Sequence, residues 1–210
     1  MENYVITIGR QFGSNGREIG KRLAERFAIP FYDRDIVTEA ASKSSYDEET
    51  LKKLDENRNT SFLFSVAMNV FPYTSKMDNL DQLSVSDKLF MVQKQVILDM
   101  AKKGPCVIVG RCSNFILRGK ANCINIFIYG DKHERVNQIA KTENIPFIKA
   151  EEIVTKVDKR RASYYNYYTG EKWSSIENYD LCINSTIIGI DGCVDALERY
   201  IKARLAELNG

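Results

Sequence analysis

The first thirty residues run from an apolar stretch through a glycine-rich turn into a helical pattern, and that order limits what the chain can fold into. Tyr4-Val5-Ile6-Thr7-Ile8 is a short β-branched run of the kind a buried strand needs. Gly9, Gly13 and Gly16 follow. Ile19, Leu23 and Phe27 then recur at helical spacing with charges between them, which predicts a helix from about Arg17 to Phe27. Glycines in such a turn let the backbone approach an anion, and the free N–H groups of the first helical turn point at it. The segment reads either as an anion site or as a turn whose glycines only reverse the chain.

A phosphate-cradling loop has the form G-x-x-x-x-G-K-[ST]. Aligned on Gly16, this chain has Gln11 at the first glycine, Arg17 at the lysine and Glu18 at the hydroxyl residue that holds Mg²⁺. Arg17 keeps the positive charge but presents it as a planar fork. Glu18 could ligate Mg²⁺ as a carboxylate, or repel the phosphates and leave the metal to another group.

With 210 residues, 44% of them hydrophobic, the chain can bury one sizeable core with a small appendage. Its net charge of +2 is too mild to argue for nucleic acid. The apolar run at Val5–Ile8 is too short for a signal-peptide core, and no stretch approaches a membrane span. The five cysteines (Cys106, Cys112, Cys123, Cys182 and Cys193) include no C-x-x-C, and His133 is the sole histidine, so a zinc site has little support. Reduced thiols and a cytoplasmic location are expected. His133 reads as a solvated first-turn residue, because Asp131 and Glu134 form a helix-start box around it.

Further along, strands and helices alternate. Ile29 to Tyr32 predicts a second strand, ending at Asp33-Arg34-Asp35, where Asp33 or Asp35 could cap a helix through Ile36, Val37 and Ala40. Residues 44–83 are polar and irregular and read as an inserted lobe, helical at Asp47–Asn57 and loop-like from Pro72 to Leu83. Ser86 is placed to cap a long helix with Leu89, Val92, Val96 and Met100 on one face, closed by Gly104-Pro105. Cys106–Val109, Cys123–Tyr129 and Leu181–Ile183 read as strands three to five. Helices are expected through Val136 and Ile139, from about Ala150 to Tyr168, and through Val194, Leu197, Ile201 and Leu205.

Such alternation specifies a parallel sheet covered on both faces, with every strand's carboxyl end on one edge, where ligands of open sheets bind. The residues after each predicted strand are Gly13 to Arg17, Asp33-Arg34, Gly110-Arg111, and Asp131 with Arg135. Arginines from four segments thus meet at one edge, which suits a phosphate-rich ligand because guanidinium forks match phosphate oxygens. Arg34 and Arg135 could instead cap or solvate helix ends. Residues 158–175 join Asp158-Lys159-Arg160-Arg161 to a tyrosine-rich helix and Thr169-Gly170-Glu171-Lys172-Trp173, the composition of a lid that brings arginines onto a phosphoryl group. The tyrosines could instead be core, the commoner role for aromatics at helical spacing, or could stack on single-stranded nucleic acid such as RNA, although so mild a net charge makes nucleic acid an unexpected partner.

Five motifs in this order carry a resemblance: I-T-I-G-R-Q-F-G-S-N-G-R-E-I-G, I-P-F-Y-D-R-D, V-I-V-G-R-C, D-K-R-R-A-S-Y-Y and N-Y-D-L-C-I-N-S-T. Together, from about Tyr4 to Ala206, they resemble the cytidylate-kinase-like family, a branch of the P-loop nucleoside monophosphate kinases. The resemblance implies a P-loop NTPase-type three-layer α/β fold. That fold has a five-stranded parallel sheet, a helical monophosphate-binding insertion and a lid, all in a single domain over 1–210. It implies ATP-dependent phosphoryl transfer with Mg²⁺ to a nucleoside monophosphate, CMP or dCMP first. On that match Gly13, Ser14, Asn15, Gly16, Arg17 and Glu18 would cradle the donor phosphates, with Glu18 at the metal. Arg17, Arg160 and Arg161 would be catalytic. Asp33, Arg34, Arg111 and Arg135 would hold the acceptor. The chain departs from cytidylate kinases at Arg17, at Cys112 in place of an aspartate, and at Val109 in place of an acidic residue. A non-catalytic nucleotide-binding or sensor protein is therefore the second expectation. Phe62, Leu63, Phe64, Met68, Val70 and Phe71 in the inserted lobe would suit self-association.

Overall fold

The computed structural model of the chain describes residues 3–33, 85–119 and 122–208. The expected helix through Ile36 to Ala40, the lobe at 44–83, its apolar residues Phe62 to Phe71, and Arg34 lie outside the described residues. The chain divides into two compact units, one of Met1–Asp33 with Met100–Gly210 and one of Arg34–Asp99. The described part of the second unit is helical and belongs to α2 (Val85–Lys103). Ser86 lies inside that helix, one residue after its first position.

The first unit holds the sheet. Its strands are β1 (Tyr4–Arg10), β2 (Phe31–Tyr32), β3 (Cys106–Val109), β4 (Asn122–Tyr129) and β5 (Leu181–Asn184). They lie in the order β2-β3-β1-β4-β5, and all four pairings are parallel. β1 is central, flanked by β3 and β4, which explains its uninterrupted apolar run: a strand covered on both faces has no polar side to show.

Helices cover the two faces. The remaining ones are α1 (Gly16–Phe27), the four-residue α3 (Ser113–Ile116), α4 (Lys132–Glu143), α5 (Phe147–Thr169) and α6 (Ser185–Leu208). On one face Ile6, Ile8, Ile124, Ile126 and Ile128 pack with Ile19 and Leu23 of α1 and with Val194, Leu197 and Ile201 of α6. Each such fully buried side chain contributes about 1.5–3 kcal/mol. Strand residues of the other parity face the opposite layer. There Phe127 meets Trp173 edge-on at 5.3 Å and Tyr179 at 4.8 Å, and Thr7 donates to Asn125 Oδ1 at 2.7 Å. Val136 and Ile139 of α4 close over Ala150 and Val154 of α5.

The expected helix start at Asp131 is half realised. Its carboxylate accepts from the His133 and Glu134 amides, whereas its own amide donates to Thr186 Oγ1 at 3.1 Å. α3 was not foreseen; Arg111 and Cys112 enter it in the left-handed region, with φ of 57° and 56°. α6 carries non-helical backbone at Gly189, φ 68° and ψ −173°. No helix among the described residues is long and apolar enough to cross a membrane.

Candidate functional site

The turn between β1 and α1 is tied down at almost every residue. Gln11 N donates to Ile128 O at 3.0 Å, and Gln11 Oε1 accepts from Gly130 N at 3.1 Å. Ser14 is buried, its hydroxyl donating to Gln11 O at 2.8 Å with Ile128 O at 3.1 Å. The Ser185 hydroxyl, at the start of α6, lies 2.8 Å from Ser14 O and 3.0 Å from Tyr129 O. Phe12 N donates to Asp158 Oδ1 at 2.7 Å, and Phe12 O accepts from Arg135 Nη1 at 2.8 Å. Gly13 has φ +78°, and a Cβ there would sit 2.7 Å from Arg135 O. Only glycine satisfies both conditions.

What this anchoring leaves open is the helix start. Asn15 adopts the left-handed conformation, φ 56° and ψ 14°, and the first bond of α1 runs from Ile19 N to Asn15 O at 3.0 Å. The amides of Gly16, Arg17 and Glu18 precede that bond and have no acceptor among the described residues. A left-handed residue followed by a helical turn makes successive N–H groups converge on one point, a concavity suited to an anion.

Positive side chains border the same edge. Arg17 Nε donates to Asp33 Oδ2 at 2.7 Å, and Arg10 Nη2 lies 3.7 Å from Asp33 Oδ1. Arg161 Nη1, on α5, donates to Arg10 O at 2.8 Å, and its guanidinium lies over the Phe12 ring at 5.5 Å. Arg111 hydrogen-bonds the Tyr164 side chain. Burial pushes the pKa of Arg10 below the usual guanidinium range; Asp33 opposes this, and the charges of Arg111 and Arg17 add to it. Arg161 is pulled down to about 9, by burial first and then by Arg10, with Arg160 adding and Asp158 and Asp33 opposing. Arg10 and Arg17 thus flank Asp33, Arg161 holds the Arg10 carbonyl, and Arg111 and Arg160 are near enough to Arg10 and Arg161 for their charges to be felt.

Arg135 has a different place. It is buried, and it donates to Gly130 O at 3.0 Å, Phe12 O at 2.8 Å and Asp158 Oδ2 at 2.6 Å. Its guanidinium braces the loop from behind. Glu18 Oε1 accepts from Arg22 Nε at 2.8 Å. The described residues contain no cluster of three or more His, Cys, Asp or Glu that could hold a metal by itself. A Mg²⁺ ion carried by a nucleotide needs only one or two carboxylates beside phosphates and water. Glu18, in the first turn of α1 and 43% exposed, has the donor chemistry for that role.

The tyrosine-rich segment is docked. Tyr165 and Trp173 are buried, Trp173 N donates to Asn166 Oδ1 at 2.8 Å, and Glu171 grips Arg118 with both oxygens at 2.7 and 3.0 Å. Those two aromatic rings are packed inside and present no stacking platform. A polar cavity of about 380 Å³ lies beneath this segment, lined by Asn114, Arg118, Asn125, Glu171, Tyr179 and Asp180 among others. None of the arginines around Asp33 lines it.

Sequence reasoning missed three members of this arrangement. Arg10 follows the predicted strand directly and sits inside the glycine turn, a position that would have flagged it. Ser185 follows the last strand, on the ligand-binding edge. Asp158 was visible only as part of a charged run.

A sequence model of the cytidylate kinase-like family matches residues 5–187. The chain belongs to that family. Among characterised relatives, the cytidylate kinase of Ignicoccus hospitalis is 21% identical over 199 residues, covering 94% of this chain and 98% of that one. The cytidylate kinase of Sulfurisphaera tokodaii is 25% identical over 159 residues, covering 72% and 87%. Among solved structures, an uncharacterized protein from Eubacterium ventriosum aligns with a TM-score of 0.68 at 28% identity, covering 95% of this chain and 98% of that one. A shikimate kinase from Acinetobacter baumannii shares the fold at a TM-score of 0.53 and 11% identity, covering 97% and 94%. The expected α/β architecture with its parallel sheet is therefore a P-loop kinase fold, and the family's general function is phosphoryl transfer.

Proposed function

We propose that the chain transfers the γ-phosphoryl group of ATP to a nucleoside monophosphate, with CMP or dCMP as the first acceptors to test. The observation that carries this reading is the pairing of Arg10 and Arg17 with Asp33, with Arg161 on the Arg10 carbonyl and the charge of Arg111 close to Arg10, beside the loop amides of Gly16 to Glu18. An acceptor phosphate oxygen would attack the γ-phosphorus. A new P–O bond forms, the bond to the β–γ bridging oxygen breaks, and that oxygen leaves with the electron pair as part of ADP. Such chemistry is mostly positioning and charge neutralisation. In this reading the amides of Gly16, Arg17 and Glu18 bind the donor phosphates, and Arg111 and Asp33 face the acceptor. Arg160 and Arg161 bring positive charge from α5. Glu18 would hold the Mg²⁺ ion, which when bound neutralises phosphate charge. Arg135 supports the loop.

The test is incubation with ATP and Mg²⁺ and each of CMP, dCMP, UMP and AMP, followed by separation of the diphosphate products. Turnover with one acceptor in preference to the rest supports the proposal. ATP binding with no turnover on any acceptor supports a non-catalytic nucleotide-binding protein instead. That second reading draws on one observation: Arg17, at the lysine position of the loop, is engaged by Asp33 at 2.7 Å.

A further inference from the structure

We infer that Arg10, and not Arg17, is the residue that delivers a guanidinium to the phosphoryl group in transit, doing for this loop what a lysine does in the standard pattern. The inference rests on the proposed function. Its ground is the path of the Arg10 side chain, which is cleared by glycines from two separate segments. A Cβ on Gly16 would come within 2.5 Å of Arg10 Cβ, and a Cβ on Gly110 within 2.2 Å of Arg10 Nη1. Gly16 therefore clears the rigid root of the Arg10 side chain, and Gly110 marks where its mobile end lies, so the two glycines bound the side chain. One of them opens α1, and the other begins the turn after β3 that carries Arg111.

The guanidinium of Arg10 consequently lies between the donor side and the acceptor side of the edge. Its neighbours are the Gly110 turn and Asp33, 3.7 Å away, while its carbonyl is fixed by Arg161. Its side chain is only 21% exposed. Arg17 is placed otherwise. Its side chain is 58% exposed, its Nε is committed to Asp33, and its plane lies over Phe31 at 5.8 Å. A group that must meet equatorial phosphoryl oxygens between two substrates is better served by the inner, braced arginine than by the outer one. Arg10 would act by donating hydrogen bonds to those oxygens, with no proton transferred.

The experiment measures binding of ATP, AMP and inorganic tripolyphosphate by titration calorimetry to the full chain and to Arg10→Gln, Arg10→Lys and Arg17→Gln. The expected result is a loss of ATP and tripolyphosphate affinity on the order of 10- to 100-fold in Arg10→Gln. Arg10→Lys should lose less, and AMP affinity should be unchanged. Arg17→Gln should lose about threefold or less. A melting temperature for ligand-free Arg10→Gln at or above that of the parent separates the phosphate role from a folding defect. Equal ATP affinity in Arg10→Gln and the parent overturns the inference and leaves the phosphate loop standing, as does a larger loss in Arg17→Gln than in Arg10→Gln. A parent chain that binds neither ATP nor tripolyphosphate overturns the proposed function and this inference together.

Discussion

Arg135 Nη1 and Asp158 Oδ2 lie 2.6 Å apart, and between them the two side chains take both backbone polar atoms of Phe12. The pair joins α4 to α5 and fixes the turn after β1 to both. The Arg135 side chain is 6% exposed and that of Asp158 18%, so each charge depends on the other. Removing one partner of a buried pair costs about 3–5 kcal/mol, because the survivor stays buried alone. Arg135→Met should therefore lower unfolding free energy in urea by about that amount, and Asp158→Asn by less. The double variant Arg135→Met/Asp158→Leu should be closer to wild type than Arg135→Met. Additive losses would show that the two side chains act independently.

Gly13→Ala combines a left-handed residue, which costs a side-chain-bearing residue about 1–2 kcal/mol, with a Cβ 2.7 Å from Arg135 O. The loop has to shift away from α4. Nucleotide affinity should fall at least as far as stability does, and calorimetry beside a urea melt checks both. Normal ATP affinity in Gly13→Ala would mean that the loop is not the donor site.

Ser185→Ala removes the buried hydroxyl that bridges Ser14 O and Tyr129 O. The expected loss of stability is about 1–2 kcal/mol. If Ser14 belongs to a donor loop, as proposed, the expected kinetic effect is a higher KM for ATP with KM for the acceptor little changed. A change confined to the acceptor KM would contradict this.

Burial pushes the Cys106 and Cys112 thiols up to about 12 and Cys123 to about 11, from an ordinary value of 9. The unfolded thiols ionise first as pH rises, which favours the unfolded chain. Full stability is present below about pH 9 and falls between 9 and 12, by up to about 1.4 kcal/mol per thiol per pH unit. Arg161 works in the opposite sense over the same range, because its cationic form is disfavoured in the folded state and deprotonation relieves that. Arg10 opposes the thiols as Arg161 does, but burial also raises Tyr164, Tyr165 and Tyr179, and these groups with the three thiols outweigh the two arginines, so the melting temperature should decline above pH 9. Cys106→Ala should show a shallower decline from a lower start.

In the proposed reading, an anion bound beside Arg161 offsets the cost of burying its charge at neutral pH. Inorganic phosphate or tripolyphosphate should raise the melting temperature more than chloride of equal ionic strength. Arg161→Met should lose part of that increment. An identical increment in Arg161→Met would place the anion elsewhere.

Much of the fold was legible because its strands are covered on both faces. Ile6, Ile8, Val107, Ile126 and Ile128 are fully buried, and such residues leave continuous apolar runs that no helix of the same length would need. α3 was not legible. It is one turn long, entered through left-handed Arg111 and Cys112, and the sequence carries no periodicity over four residues. The site was legible as a set of arginines on one edge, but not as a division of labour among them. Arg135 and Arg111 look alike in sequence. One braces the loop through Asp158, on another helix, and the other meets Tyr164. Arg10 is marked in the sequence by its place in the glycine turn, but its packing against Gly16 and Gly110 shows only in the fold.

The central position of β1 has a consequence for how the protein is made. The strand leaves the ribosome well before its partners: its neighbours β3 and β4 begin at Cys106 and Asn122, and the hydroxyl that holds Ser14 belongs to Ser185. Nascent β1 must wait for its partners, apolar and unpaired, until the chain has been translated past Asn122. A partly synthesised chain would accordingly be a client for chaperones before its sheet could close.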